Sequence, residues 1–367
     1  AETAPVGDTF PVRLGEIAVL QHALASGVKR AAFLLGCEYY DKRQYELAGK
    51  LFEQSTHDEP DNYMTYRSLA IACFSHLNRK AEAMPLMQKA LSMTDSEEVL
   101  YETVILMDQQ NAAPEDKIAL LAPRAASMHR DDLFVELAKA YNQARQPEKA
   151  RETLLGHVFT ACEGGEHAIA DQYMYSFFQQ GMQAEAAGDF ETALSVFRQA
   201  LTLPATLGAG IWNRCKYVPY QYQIAVCLEK LGKKAEADGI FREILDIEIE
   251  FFSKMHLREL PWYQALSAEH LGLQQKAWNL MGKAKRIWTA ELDKVDNGFF
   301  ATTPFFISFA QPASELRKAY YGYLLGLVSL YEGENEQAAE WFRASSARNS
   351  DNMFCQYFKN TLTDQGF

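Results

Sequence analysis

Small residues recur in pairs twelve positions apart: Gly36 with Ala48, Ala138 with Ala150, Gly181 with Ala193, Ala225 with Ala237, Ala265 with Ala277 and Gly326 with Ala338. Four residues beyond each second member stands a large apolar residue, namely Phe52, Leu154, Phe197, Phe241, Met281 or Phe342. Polar turn signals separate the members ("DKRQYELA", "RQPEKA", "AGDFETA", "LGKKAEA", "LGLQQKA", "GENEQAA"), and apolar residues fall at helical spacing on either side. Each block reads as helix, tight turn, helix. Period-two alternation is nearly absent, so strands are not expected. Antiparallel helices approach to about 8–10 Å where the crossing residues are small. The pairs therefore mark where the two helices of a hairpin touch, and the large residue is expected to fill the gap to the next hairpin. One hairpin cannot bury its apolar face alone, so hairpins stack.

The spacing resembles the tetratricopeptide repeat (TPR), a helix–turn–helix unit of 34 residues. Lys29–Asn62 supplies Leu35, Gly36, Tyr39, Ala48, Phe52, Ser55 and Pro60 at the pattern's positions, with Ala32 departing where a large residue belongs. The next unit starts near Tyr63, with Leu69, Ala70, Ala83, Met87 and Ala90. A degenerate unit fills 97–130, where Pro123 is expected to break or kink the second helix. Further units start near Asp131, Met174, Val218, Arg258 and Ala319. The resemblance implies an all-α, right-handed TPR-type superhelix of about eight hairpins. Residues 1–28 form an N-terminal segment with a capping helix near Leu14–Ser26. Repeats follow over 29–164, longer repeats with insertions over 165–353, and a C-terminal tail over 354–367, in one continuous solenoid.

Insertions are expected at about 158–173, 205–217, 247–260 and 292–318. "RDDLFVELAKAYNQ", "CEGGEH", "LPATLGAG" and "NGFFATTPFFISF", in that order between TPR units, resemble the C-terminal part of a family of large bacterial proteins. In that family a galactose-mutarotase-like β-sandwich of unknown function precedes a TPR array. The resemblance implies a carbohydrate-related, bacterial protein whose sugar-binding domain is outside this chain. The longest insert carries Phe299, Phe300, Phe305, Phe306 and Phe309, too apolar to leave in water, with Pro304 interrupting any helix. It is expected to run as a strap across the concave side, onto rings such as Tyr222, Trp262 or Tyr323.

Charge narrows the partners. Lys plus Arg number 36 against 48 Asp plus Glu, a net charge of −12. Without a basic stripe this argues against nucleic acid. The longest apolar run, "AYYGYLLGLVSLY", is too short to span a bilayer, so no membrane partner is expected. The six cysteines form no CxxC pair and sit mostly in apolar helical patterns, which suits reduced thiols and a cytoplasmic location. The N-terminus has neither a basic nor an apolar leader region, and it lacks an initiating Met, as a processed chain or a piece of a larger one would.

Candidate chemistry is sparse. No histidine pair has HExxH or HxxxH spacing; His167 beside Glu163 and Glu166 is the nearest cluster, and neither a metal nor a cofactor is expected. "LGKK" lacks the P-loop hydroxyl, "LGAG" reads first as a loop, and no GxSxG elbow is present. No catalytic residue is assigned, and the chain alone is not expected to be an enzyme. Function is left to the concave groove, lined by the first helix of each hairpin. Its outward positions include Tyr175, Phe178, Tyr222, Trp262 and Tyr323, taken as the partner-binding set. Basic groove residues are few (Arg30, Arg67, Lys139 and Lys230), and the Lys/Asn clamp of chaperone-binding TPRs is missing. Three fates are open to the rings: cover by the inserts, a protein or peptide ligand, or a sugar. The expected role is an interaction or scaffolding module, for instance for its own N-terminal β-domain. The rival readings are part of a carbohydrate-active site completed by that domain, and direct glycan binding.

Overall fold

The computed structural model describes residues 11, 13–160, 166–208, 210, 214–248, 259–294, 309 and 311–367. All regular structure among them is helical, with no strand, and the fold is of the stacked-hairpin TPR type. No helix among the described residues is long and apolar enough to cross a membrane. The chain divides into two compact units: Ala1–Ala112 with Phe300–Gln311, and Ala113–Phe299 with Pro312–Phe367.

The first unit holds α1 (Leu14–Ala25), α2 (Arg30–Asp41), α3 (Tyr45–Asp58), α4 (Tyr63–Ser75), α5 (Lys80–Leu91) and α6 (Glu97–Gln109). Helix α1 is the expected cap; it packs on α2, and Gln21 Nε2 donates to Tyr39 Oη at 2.9 Å. The small pair does bring α2 and α3 together, but the large residue acts inside the hairpin as well as beyond it. A Cβ on Gly36 would stand 2.6 Å from Cε1 of Phe52, so that ring occupies the space the glycine leaves. The same ring also belongs to a cluster with Met64 and Leu69 of the next hairpin. A second cluster gathers Ala70, Phe74, Ala83, Met87, Val99 and Leu106, and it is completed by Phe309, fully buried edge-on against Phe74 at 5.4 Å. This corrects the strap expectation at the one ring of the insert that is described: Phe309 seats on Phe74, not on Tyr222, Trp262 or Tyr323. The insert's other four phenylalanines lie outside the described residues.

The second unit holds α7 (Pro114–Leu121), α8 (Asp131–Gln143), α9 (Pro147–Leu155), α10 (Glu166–Ala186), α11 (Phe190–Ala200), α12 (Val218–Lys230) and α13 (Lys234–Leu245). After these come α14 (Leu260–His270), α15 (Gln274–Leu292), α16 (Ala313–Tyr331), α17 (Asn335–Arg348) and α18 (Met353–Asp364). Where Pro123 was expected to break a helix, α7 gives way to a 3-10 turn, Ala122–Ser127. Two expected insertions are partly helix instead. Helix α10 starts at Glu166 and buries Ile169, Ala170 and Tyr173 in the five residues before the repeat register begins at Met174. Helix α16 likewise starts at Ala313, inside the longest insert.

Each hairpin turn carries one residue with a left-handed backbone. It is Arg43, Asn78, Asn111 or Arg145 in the earlier hairpins and Gly188, Gly232, Gly272 or Gly333 in the later ones. The amide three residues past the helix returns to a carbonyl five earlier, as from Gln44 to Tyr39 at 2.8 Å and from Asp189 to Ala184 at 2.9 Å. That closes the helix end and reverses the chain within a few residues. Such a conformation strains arginine and costs glycine little, so the turns from Gly188 onward are the better matched.

Candidate functional site

The five rings expected to bind a partner lie on the first helices of the second unit: Tyr175 and Phe178 on α10, Tyr222 on α12, Trp262 on α14 and Tyr323 on α16. Tyr175, Phe178 and Tyr323 are at most 2% exposed, Trp262 is 8% exposed and Tyr222 is half-buried. Their cover is α18, from the stretch expected to be a tail. Phe354 packs edge-on against Tyr175 at 5.5 Å and Phe178 at 4.9 Å, and Tyr357 against Phe178 at 5.2 Å. Phe358 meets Trp262 at 5.7 Å. Polar contacts fix the same helix and its approach: Lys139 to Asp351 at 3.0 Å, Gln143 to the Ser350 carbonyl at 3.2 Å, and Arg145 to Asp364 at 2.8 Å. Tyr323 turns instead toward Tyr320 and Phe342, at 6.4 and 6.0 Å.

The signal for α18 was in the sequence. Asn352, whose side chain accepts from the Cys355 amide at 3.0 Å, is a helix start, and Met353, Phe354, Tyr357, Phe358 and Leu362 follow at helical spacing. Only Met353, Cys355 and Leu362 of this helix are fully buried. Its rings keep half-buried edges, so α18 lines the concave side rather than filling it.

Beside its first turn a cleft of about 510 Å³ remains, within the range of ligand pockets. Val135, Glu136 and Lys139 of α8 form one wall, with Asp171, Gln172 and Tyr175 of α10 and Tyr220 of α12 opposite. Glu259, Tyr320 and Phe354 complete it. Charge is concentrated here, buried at Glu136, Lys139 and Glu259 and exposed at Asp171. Lys139 lies 2.6 Å from Glu136, Lys216 2.6 Å from Asp171, and the Tyr320 hydroxyl donates to Glu259 at 3.0 Å. Ions removed from water must be paired, and the buried Lys139 and Glu136 are. Tyr220 is 3% exposed and lines the cleft.

Further along the same side, Tyr222 Oη lies 3.2 Å from His270 Nε2, whose Nδ1 lies 2.8 Å from Glu229. The His270 ring stacks on Phe241 at 4.4 Å. Three buried tyrosines of this unit are held neutral: burial first, then nearby carboxylates and phenols, push Tyr220, Tyr263 and Tyr323 well above the ordinary phenol range. An unfolded chain would ionise them near pH 10 while the native state keeps the protons, so stability falls as pH rises past about 10. In an alkaline titration we expect tyrosinate absorbance from these rings to appear together with the loss of helical circular dichroism, not before it. Early absorbance from all the tyrosines would show the rings open to solvent.

Burial also acts on the thiols, raising Cys37 and Cys227 to about 12 and Cys73 and Cys355 to about 11. These remain protonated thiols at neutral pH and are poor nucleophiles. No group of three or more potential metal ligands is found among the described residues, and Glu163, beside His167, lies outside them.

Solved structures that match the chain include Naa15/Naa10 bound to HypK-THB, at 14% identity and a TM-score of 0.42, covering 95% of this chain and 58% of that one. The human IFIT1 dimer with PPP-AAAA matches at 14% identity and a TM-score of 0.35, covering 89% of this chain and 76% of that one. The chain thus spans under two thirds of the length of the first of these. Residues 33–98 match the family profile of the tetratricopeptide repeat.

Proposed function

We propose that the chain is a protein-interaction scaffold whose second unit takes a segment of a protein partner along its concave side. The observation that carries this reading is the cleft of about 510 Å³ beside α18, where four first helices and α18 bring the buried Lys139–Glu136 pair, the Lys216–Asp171 pair and tyrosine rings together. A protein segment suits the site better than a glycan, because Phe354, Tyr357 and Phe358 already occupy faces or edges of Tyr175, Phe178 and Trp262 that a sugar would stack on. The partner-binding role moves accordingly from those buried rings to the cleft and to half-buried Tyr222. The setting we propose is a larger bacterial, carbohydrate-related polypeptide in the cytoplasm, in which the upstream β-domain is one source of the segment. Free thiols at Cys37, Cys73, Cys215, Cys227 and Cys355 support a reducing compartment.

Selection of a random-peptide library against the full chain tests this. A photocrosslinking residue at Val135 should capture the selected peptides, and Ala168→Trp, which fills the cleft, should weaken them. Peptides that crosslink only outside this side and bind Ala168→Trp undiminished would show the reading to be wrong.

A further inference from the structure

Three successive first helices of the second unit repeat one two-residue step on the concave side. Met182 on α10, Val226 on α12 and Leu266 on α14 hold the same register position and are half-buried. Glu185, Glu229 and Glu269 follow three residues later, one turn along the same face and also half-buried. The helices are neighbours: Phe178 meets Tyr220 at 5.9 Å, and Tyr222 meets Tyr263 at 5.7 Å. An apolar step and a carboxylate step therefore run side by side.

The carboxylates are only partly answered from within. Glu269 accepts from the Tyr331 hydroxyl at 2.8 Å, and Glu229 faces His270 at 2.8 Å and Lys234 at 3.6 Å. Glu185 has Lys230 in its vicinity, yet its buried Oε2 accepts no hydrogen bond. A second polar group on this face is also unanswered. Trp262, nine-tenths buried and one turn before Leu266, has an indole N–H with no acceptor. An unpaired buried donor or acceptor carries its full desolvation cost until a ligand supplies the other half. Here the missing halves are a cation for the carboxylate and a carbonyl for the indole, which a basic polypeptide supplies together.

We infer that the segment bound here is basic and amphipathic. Its apolar side chains lie on Met182, Val226 and Leu266, and its lysine or arginine side chains reach Glu185, Glu229 and Glu269. This rests on the protein-segment reading above and names the chemistry of the partner. With packed helices about 8–10 Å apart and an extended chain rising about 3.3 Å per residue, a basic residue recurs about every third position.

Fluorescence anisotropy with synthetic peptides tests it: one with leucine and arginine at that period, and a second with glutamine replacing each arginine. The arginine peptide is expected to bind at least about tenfold more tightly at low salt, an advantage that shrinks as salt screens the pairs. Glu185→Gln/Glu229→Gln/Glu269→Gln should erase that advantage, with the helical spectrum intact. Leu266→Gln, a single milder change, should weaken both peptides. Equal binding of the two peptides by the parent chain overturns the inference while leaving the protein-segment reading standing. So does an arginine preference that survives the triple substitution, which would place the cation elsewhere. If neither peptide binds, the inference is overturned, and the library selection judges the wider reading separately.

Discussion

Phe178→Ala is expected to lower the stability of the second unit by about 3–5 kcal/mol, the range for removing a buried aromatic ring. Phe178 is 2% exposed and meets Tyr175, Phe197, Tyr220, Phe354 and Tyr357 within 6.2 Å. Two of those partners belong to α18, so the cavity opens where α18 is attached. Lys359, half-buried on that helix and hydrogen-bonded to Ser346 and Gln356, should then become a site of rapid tryptic cleavage. Chemical denaturation measures the first effect and timed proteolysis the second. A change below about 1 kcal/mol with Lys359 still protected would return Phe178 to the role of an open binding ring.

Two glycines of one helix should respond in opposite directions to the same substitution. A Cβ on Gly326 would stand 2.5 Å from Cε1 and 2.8 Å from Cδ1 of Phe342. That ring is fully buried and stacked on Phe358 at 5.5 Å, so it has little room to retreat. Gly326→Ala is expected to cost about 1–3 kcal/mol, as overpacking does. Four residues earlier, a Cβ on Gly322 meets nothing nearer than Trp341 at 3.6 Å, an ordinary contact. Gly322→Ala should stabilise by about 0.5–1 kcal/mol, because alanine loses less backbone freedom in a helix. Truncating the opposing ring checks the cause: in a Phe342→Leu background, Gly326→Ala should lose most of its penalty. If both alanines act with the same sign, the close approach of helix and ring is not what selects glycine.

The meeting of two helices at each small pair was legible in the sequence, since the same small–small–large triplet returns at fixed spacing. The large residue, however, was expected to fill the gap to the next hairpin rather than to stand against the glycine. Gly36/Phe52, Gly181/Phe197 and Gly326/Phe342 all show a ring standing where a Cβ would be. The cap at Leu14, the turn residues and the disruption at Pro123 were legible because local rules decide them. Which apolar rings stay open was not, because burial there depends on contacts far apart in the chain. Tyr175 and Phe178 carry outward repeat positions, and the return of Phe354 and Tyr357 helps to hide them. The half-buried carboxylates at Glu185, Glu229 and Glu269 were overlooked because a glutamate near a helix end reads as solvated surface, whichever side of a superhelix it faces. The residues around the cleft were equally hidden, since Lys139 and Asp351 meet only after the hairpins stack.

Phe309 fixes an order of events during synthesis. It completes the cluster around Phe74, although the helices that make up the rest of that cluster end at Gln109. A ribosome releasing the chain from its N-terminus must add about 200 further residues before this ring exists, roughly 10–40 s at ordinary elongation rates. Throughout that interval the face of Phe74 has no native partner from the insert, and the earliest hairpins to emerge are among the last to be finished. Such a nascent chain shows apolar surface to chaperones for longer than a strictly neighbour-by-neighbour array would, and release from them should coincide with emergence of the insert rather than of α6.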